Sequence, residues 1–98
     1  MDFKVVFKDS FLEDLERIVK SIAIHDPSAA QNLGERVLRA AESLNFFPER
    51  HPKVRQRPGT RRFVVGKNFK VFYRIQHASR TIEILRLWDG RRENDPAL

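Results

Sequence analysis

The sequence predicts an α+β domain in the order β-α-α-β-β-β, with a helix hairpin packed on one face of a small, mainly antiparallel sheet. Three observations predict it. Two amphipathic stretches, near residues 10–24 and 27–46, are joined by a very short link at His25-Asp26. Three runs rich in β-branched and aromatic residues come after them, 61–65, 69–76 and 81–88, separated by turn-forming residues. In the middle run Phe69, Val71, Tyr73 and Ile75 alternate onto one face, an apolar surface for the two helix stripes to cover.

Asp2–Phe7 (DFKVVF) is short and rich in Val and Phe, and reads as the first strand. Ser10 and Glu13 have the spacing of a capping box, in which hydroxyl and carboxylate satisfy free helix N–H groups. Phe11, Leu15, Ile18, Val19 and Ile22 then recur at three- and four-residue intervals, while Glu13, Asp14, Glu16, Arg17 and Lys20 fill the other face. Asp26 can cap the second helix and Pro27 suits its first position, where no N–H is needed. Ala30, Leu33, Val37, Ala40, Ala41, Leu44 and Phe47 form its stripe, and Pro48 stops it. Gly34 reads as packing space between the helices. Residues 48–60 begin as a proline-rich basic loop, within which 53–57 alternates like a short extra strand. Gly66-Lys67-Asn68 and His77–Arg80 separate the last three strands, which form a meander. Lys70, Phe72 and Arg74 point to the face away from the helices, predicting a basic, partly open surface. The last strand does not alternate cleanly, which predicts a bulge near Ile84-Leu85. Residues 89–98 read as a polar, partly flexible tail on a single domain spanning 1–98.

Charge is unevenly spread. Residues 1–49 hold six Lys/Arg against nine Asp/Glu, and residues 50–98 hold thirteen against four, within a net charge of +6. No acidic residue lies between Glu49 and Glu83, where ten basic ones do. Such a stretch favours a polyanionic partner, either nucleic acid or an acidic protein segment. The absence of cysteine excludes disulfides and thiolate metal sites. His25, His51 and His77 are too dispersed to suggest a ligand cluster, and no metal or cofactor is expected. No apolar run approaches a membrane span, and MDFKVVFKDS lacks the features of a signal peptide, so a cytoplasmic protein is expected.

No nucleotide-binding or hydrolase motif is present. His51 with Glu49 is the one acid–base pair in a plausible place. Tyr73, on the apolar face of a central strand, reads as core. Trp88, with Arg86, Arg91 and Arg92 nearby, reads as either the end of the core or an aromatic-plus-arginine contact surface.

The words FLEDLERIVKSIAIHDPSAAQNLGERV, GTRRFVVGKNFKVFYRI and IEILRLWDGRR, in that order and spacing, resemble the RelE/ParE superfamily of bacterial type II toxins over about residues 3–93. The resemblance implies a plasmid stabilisation-type toxin neutralised by a cognate acidic antitoxin in a hetero-oligomer. RelE-like members cut mRNA in the ribosome with basic residues and a C-terminal Tyr, or with a set that includes a His-Tyr pair. ParE-like members carry no known nuclease set and poison DNA gyrase. Here Asp89-Gly90 stands where the His-Tyr pair is expected, and Tyr73 is the sole tyrosine. The wording VVGKNFKVFYRI and DGRR is similar to the ParE branch.

The resemblance therefore favours a gyrase-binding toxin without catalytic residues. On that reading Arg61, Arg62, Phe72, Arg74, Trp88, Arg91 and Arg92 are the expected partner-binding residues. The alternative is a RelE-like ribosome-dependent endonuclease using Lys53, Arg55, Arg61 and Arg92. A third reading is a basic binding module that no longer poisons anything.

Overall fold

The Val- and Phe-rich start forms β1 (Lys4–Phe7), and the two amphipathic stretches form α1 (Asp9–Ala23) and α2 (Pro27–Glu42). The three later runs form β2 (Thr60–Val65), β3 (Phe69–Gln76) and β4 (Thr81–Asp89). This computed structural model describes residues 2–92 and 94–98. The sheet order is β1-β4-β3-β2. β2, β3 and β4 form the antiparallel meander, and β1 joins the β4 edge in parallel, Lys4 opposite Thr81 and Phe7 opposite Ile84.

The bulge lies where the sequence places it. Phe72 faces Arg86 but Tyr73 faces Ile84, so Leu85 has no partner across the ladder. One extra residue reverses the alternation of a strand. Ile82 and Ile84 before the bulge, and Leu87 after it, thus all reach the helix side, where each is fully buried. Arg86 and Trp88 are sent to the opposite face. The core joins these residues to Phe63, Val65, Val71 and Tyr73 of the sheet and to Phe11, Leu33, Val37, Ala41 and Leu44.

Asp26 caps α2 by accepting from Ala29 N–H at 3.1 Å, with Pro27 in the first position. The expected capping box of α1 is not formed. Lys8 flanks the helix without a side-chain cap, and Ser10 Oγ donates instead to Leu85 O at 2.8 Å. The bulge leaves a carbonyl for that hydroxyl to satisfy.

α2 also ends earlier than its stripe suggests. It tightens into a 3-10 turn at Ser43–Asn45, and Phe46 and Phe47 stand 65% and 63% exposed. Phe47, expected in the core, has φ 53° instead, in the left-handed region. Pro48 and Arg50 fix this turn. Pro48 is buried and its carbonyl accepts the Tyr73 hydroxyl at 2.6 Å, while Arg50 donates to Phe46 O at 2.7 Å.

The short strand expected at 53–57 is reduced to one bridge, Lys53 with Arg61. Pro52 and Pro58 flank it and have no N–H to extend a ladder. At Gly34 a Cβ would meet Val19 Cγ2 at 3.7 Å, an ordinary contact, so the helix pair does not need the missing methyl.

Candidate partner-binding face

The strand register sets the outer face of the sheet in three rows. Thr60, Arg74 and Glu83 form one; Arg62, Phe72 and Arg86 the next; Val64, Lys70 and Trp88 the third. The face is basic, as the alternation in β3 predicts. It is not open at its centre: Phe72 is 0% exposed. The expectation that Phe72 offers an accessible apolar contact is therefore corrected, because residues 94–97 run back across this face. Trp88 Nε1 donates to Asn94 O at 2.7 Å. Lys70 Nζ and Arg62 hold the Asp95 carboxylate at 3.0 and 3.6 Å. Arg57 donates to Pro96 O, and Arg86 Nη1 to Ala97 O at 2.8 Å. Pro96 is buried, and the residues on either side of Phe72 in its row both hold this segment.

Arg86 is itself fixed from below. Its Nε and Nη2 donate to the two Asp14 carboxylate oxygens at 2.6 and 3.0 Å. Leu87 N–H at 3.1 Å and Arg17 at 3.0 Å complete the set. Burial pushes the Asp14 carboxyl up, but these hydrogen bonds outweigh it and hold it below the usual carboxylate value. Sequence reasoning missed Asp14 by assigning it to the solvent face. The available signal was its spacing, three residues after Phe11 and four before Ile18, which puts it beside the apolar stripe.

At the exit of β4, Arg92 lies over the Trp88 ring at 4.5 Å and Arg86 at 5.4 Å. Arg91 forms a short chelate with Asp89, whose carboxyl it holds below the usual value, chiefly by hydrogen bonding. Arg74 is paired with Glu83 at 2.8 Å. Trp88 and Arg92 thus form one aromatic-and-arginine contact, with Arg91 next to it in the chain and turned onto Asp89. Arg62 lies one row away on the sheet, and Arg74 two rows away, so Arg74 is not brought to this surface.

The sequence pattern of the ParE toxin of the type II toxin–antitoxin system parDE matches residues 5–94. The chain belongs to the ParE toxin family. Three solved structures share its fold. The chromosomal ParDE toxin–antitoxin system from P. aeruginosa has a TM-score of 0.77 at 17% identity, over 89% of this chain and 95% of that one. The RelBE2 toxin–antitoxin complex from Mycobacterium tuberculosis has 0.65 at 24%, over 91% and 99%. The archaeal RelE–RelB complex from Pyrococcus horikoshii has 0.63 at 19%, over 94% and 99%. At these identities the likeness is one of fold. A search of curated proteins finds no match.

In this ParE-family toxin the four cations named for a nuclease centre line three different concavities. Lys53 and Arg61 share one of about 220 Å³ with Gly59, Ile75 and His77. Arg55 lines a cleft of about 500 Å³ with Arg57, Arg62 and Lys70. Arg92 lines a third, of about 270 Å³, between α1 and the β4 exit. Arg61 Nη1 donates to His51 O at 2.7 Å and Glu49 O at 3.1 Å, so it braces the loop. The His51 ring stacks on Phe63 at 4.8 Å, and burial, then the Arg50 charge, lower its pKa and keep it neutral at pH 7. Tyr73 is fully buried, and burial pushes its hydroxyl up to about 12. Gly90, where the His-Tyr pair is expected, has no room for a side chain: a Cβ there would sit 2.5 Å from Asn68 O.

Proposed function

We propose that this ParE-family toxin acts by binding DNA gyrase, without a catalytic centre, and that a cognate antitoxin neutralises it in a cytoplasmic hetero-oligomer. The observation that carries the reading is the state of two positions that could handle a proton: Tyr73, the sole tyrosine, is fully buried with its hydroxyl given to Pro48 O, and Gly90 has no room for a side chain. Cleavage of RNA needs a proton acceptor and cationic stabilisers around one scissile phosphate. Lys53, Arg55, Arg61 and Arg92 line three concavities, and Arg61 is already engaged by two backbone carbonyls. The tight approach of Gly90 to Asn68 also argues against a larger proton-handling residue there. A binding toxin needs a shaped, charged surface, and Trp88 with Arg91 and Arg92 supplies a candidate patch at the end of β4.

The second reading, ribosome-dependent mRNA cleavage, is favoured by one feature. A neutral His51 imidazole lies beside the Lys53–Arg61 bridge, with Arg61 donating to the His51 carbonyl. Induced expression in bacteria separates the two. The gyrase reading expects DNA-damage signalling and filamentation while primer extension finds mRNA intact. Codon-specific cuts soon after induction would overturn it and move attention to His51, Lys53, Arg55, Arg61 and Arg92.

A further inference from the structure

We propose that Phe46 and Phe47 form a rigid aromatic knob that inserts into an apolar, basic-rimmed groove of the toxin's protein target, which on the reading above is DNA gyrase. The two rings follow one another in the chain and stand 65% and 63% exposed. The backbone beneath them is held from several sides. Arg50 donates to the carbonyls of Ser43, Phe46 and Phe47 at 3.3, 2.7 and 3.3 Å, and to Ser43 Oγ at 2.7 Å. Asn45 O accepts from Phe3 N–H at 2.8 Å, and Pro48 is buried with its carbonyl on the Tyr73 hydroxyl. Phe47 is in the left-handed region, which is costly for a residue with a Cβ. A strained and well-braced turn that sends two large apolar side chains into solvent is explained by a contact those rings make elsewhere. Held in place beforehand, they lose little freedom when a partner buries them, which suits them as anchors.

Charge selects the partner. Residues 40–49 hold two acidic side chains, Glu42 and Glu49, and no basic one. Both are exposed, one on each side of the knob in the chain, and neither is paired with a cation among the described residues. Arg50, the next cation along, is spent on the carbonyls of the turn. A nucleic acid or an acidic protein segment would meet like charge here, whereas an apolar groove with lysine or arginine on its rim would meet opposite charge. Position separates the knob from the other surfaces. Pro48 O takes the hydroxyl of Tyr73, a core residue, so the turn lies on the helix side of the sheet, while residues 94–97 cross the opposite face. Asn45 bonds Phe3 beside the start of β4, and Trp88 lies at the other end of that strand. The knob is thus a second anchor, apart from the Trp88–Arg92 contact. The inference deepens the gyrase reading and rests on it for the identity of the partner.

Variants of the full chain, assayed on purified gyrase with plasmid and ATP, separate contact from folding. Phe47→Asn removes one ring and relieves the left-handed backbone, so it should unfold at or above the wild-type urea midpoint. It should nonetheless need at least about threefold more toxin for half-inhibition of supercoiling, and Phe46→Ser with Phe47→Asn at least about tenfold more. Potency lost by a chain that has become more stable cannot come from unfolding. Glu42→Lys with Glu49→Lys should also lose potency, by a factor that shrinks as salt rises. A double ring variant as potent as wild type, or a charge-reversed chain that is equally or more potent, would overturn the knob and leave the gyrase reading standing. A wild-type chain inert on gyrase would overturn both. Loss of potency that accompanies a dimer-to-monomer change in sedimentation would overturn the proposal in favour of a second copy of this chain. Wild-type binding to DNA in the absence of gyrase, lost in the double ring variant, would overturn it in favour of nucleic acid.

Discussion

Asp14 concentrates the physics of this chain in one carboxylate. It is 1% exposed, and it ties α1 to β4 through the Arg86 guanidinium and the Leu87 N–H. Breaking a buried pair from one side leaves the other charge stranded, which is costlier than the pair is worth. Asp14→Asn should cost about 3 kcal/mol in urea denaturation, toward the low end for buried pairs because Arg86 keeps some solvent contact. The pH dependence follows from the direction of the shift. A carboxyl held below its ordinary 3.8 contributes stability that is complete above the unfolded value and lost as pH falls through the folded one. The wild type should therefore lose stability below about pH 4 more steeply than Asp14→Asn does. Tyr73 is the counterpart on the other side of the core. Tyr73→Phe leaves the Pro48 carbonyl without its donor and should cost about 1–2 kcal/mol by the same measurement.

At the scale of the elements, sequence signals are legible wherever local chemistry decides. The Asp26-Pro27 start of α2 and the bulge at Leu85 belong to this class, since a cap and a broken alternation need nothing distant. Signals fail where a remote group competes. Ser10 has the sequence of a capping residue, but the Leu85 carbonyl takes its hydroxyl from 75 positions away. Phe47 continues the apolar stripe of α2, yet Pro48 is drawn inward under Tyr73 and turns the chain before the helix can reach it. Asp14 is half legible for the same reason: its spacing sets it beside the apolar stripe, but the partner that holds it inside lies on β4. Two substitutions probe these elements. A non-glycine residue in the left-handed region costs roughly 1–2 kcal/mol, less for Asn. Phe47→Asn should thus stabilise the chain by about 0.5–1 kcal/mol, since the ring it removes is largely exposed. Gly34→Ala should add about 1 kcal/mol in thermal or urea unfolding, because helix propensity favours Ala and the new methyl only touches Val19.

At the scale of the whole molecule, the fold and the basic character of its outer face are legible in the sequence, and what covers that face is not. Order, hairpin, meander and basic outer face all come from periodicity and charge. The return of residues 94–97 across that face does not, because it depends on five scattered side chains acting on a short polar tail. That return covers the face over Phe72 and leaves Arg91 and Arg92 exposed at the exit of β4, with Trp88 bordering both. Both arginines lie outside the core, and the Arg91 and Arg92 backbone N–H groups, which hold the turn, survive truncation of the side chains. Changing Arg91 and Arg92 together to Ala should blunt toxicity in induced cells while circular dichroism and unfolding midpoint stay near wild type.

The most direct measurement of the central claim uses purified components: this chain added to DNA gyrase, plasmid and ATP, beside the same chain added to translating ribosomes. The account predicts loss of supercoiling or accumulation of gyrase-cleaved plasmid at about micromolar toxin, in the range of specific protein–protein affinities, with the ribosomal mRNA intact. Gyrase working unimpeded while mRNA is cut would contradict it.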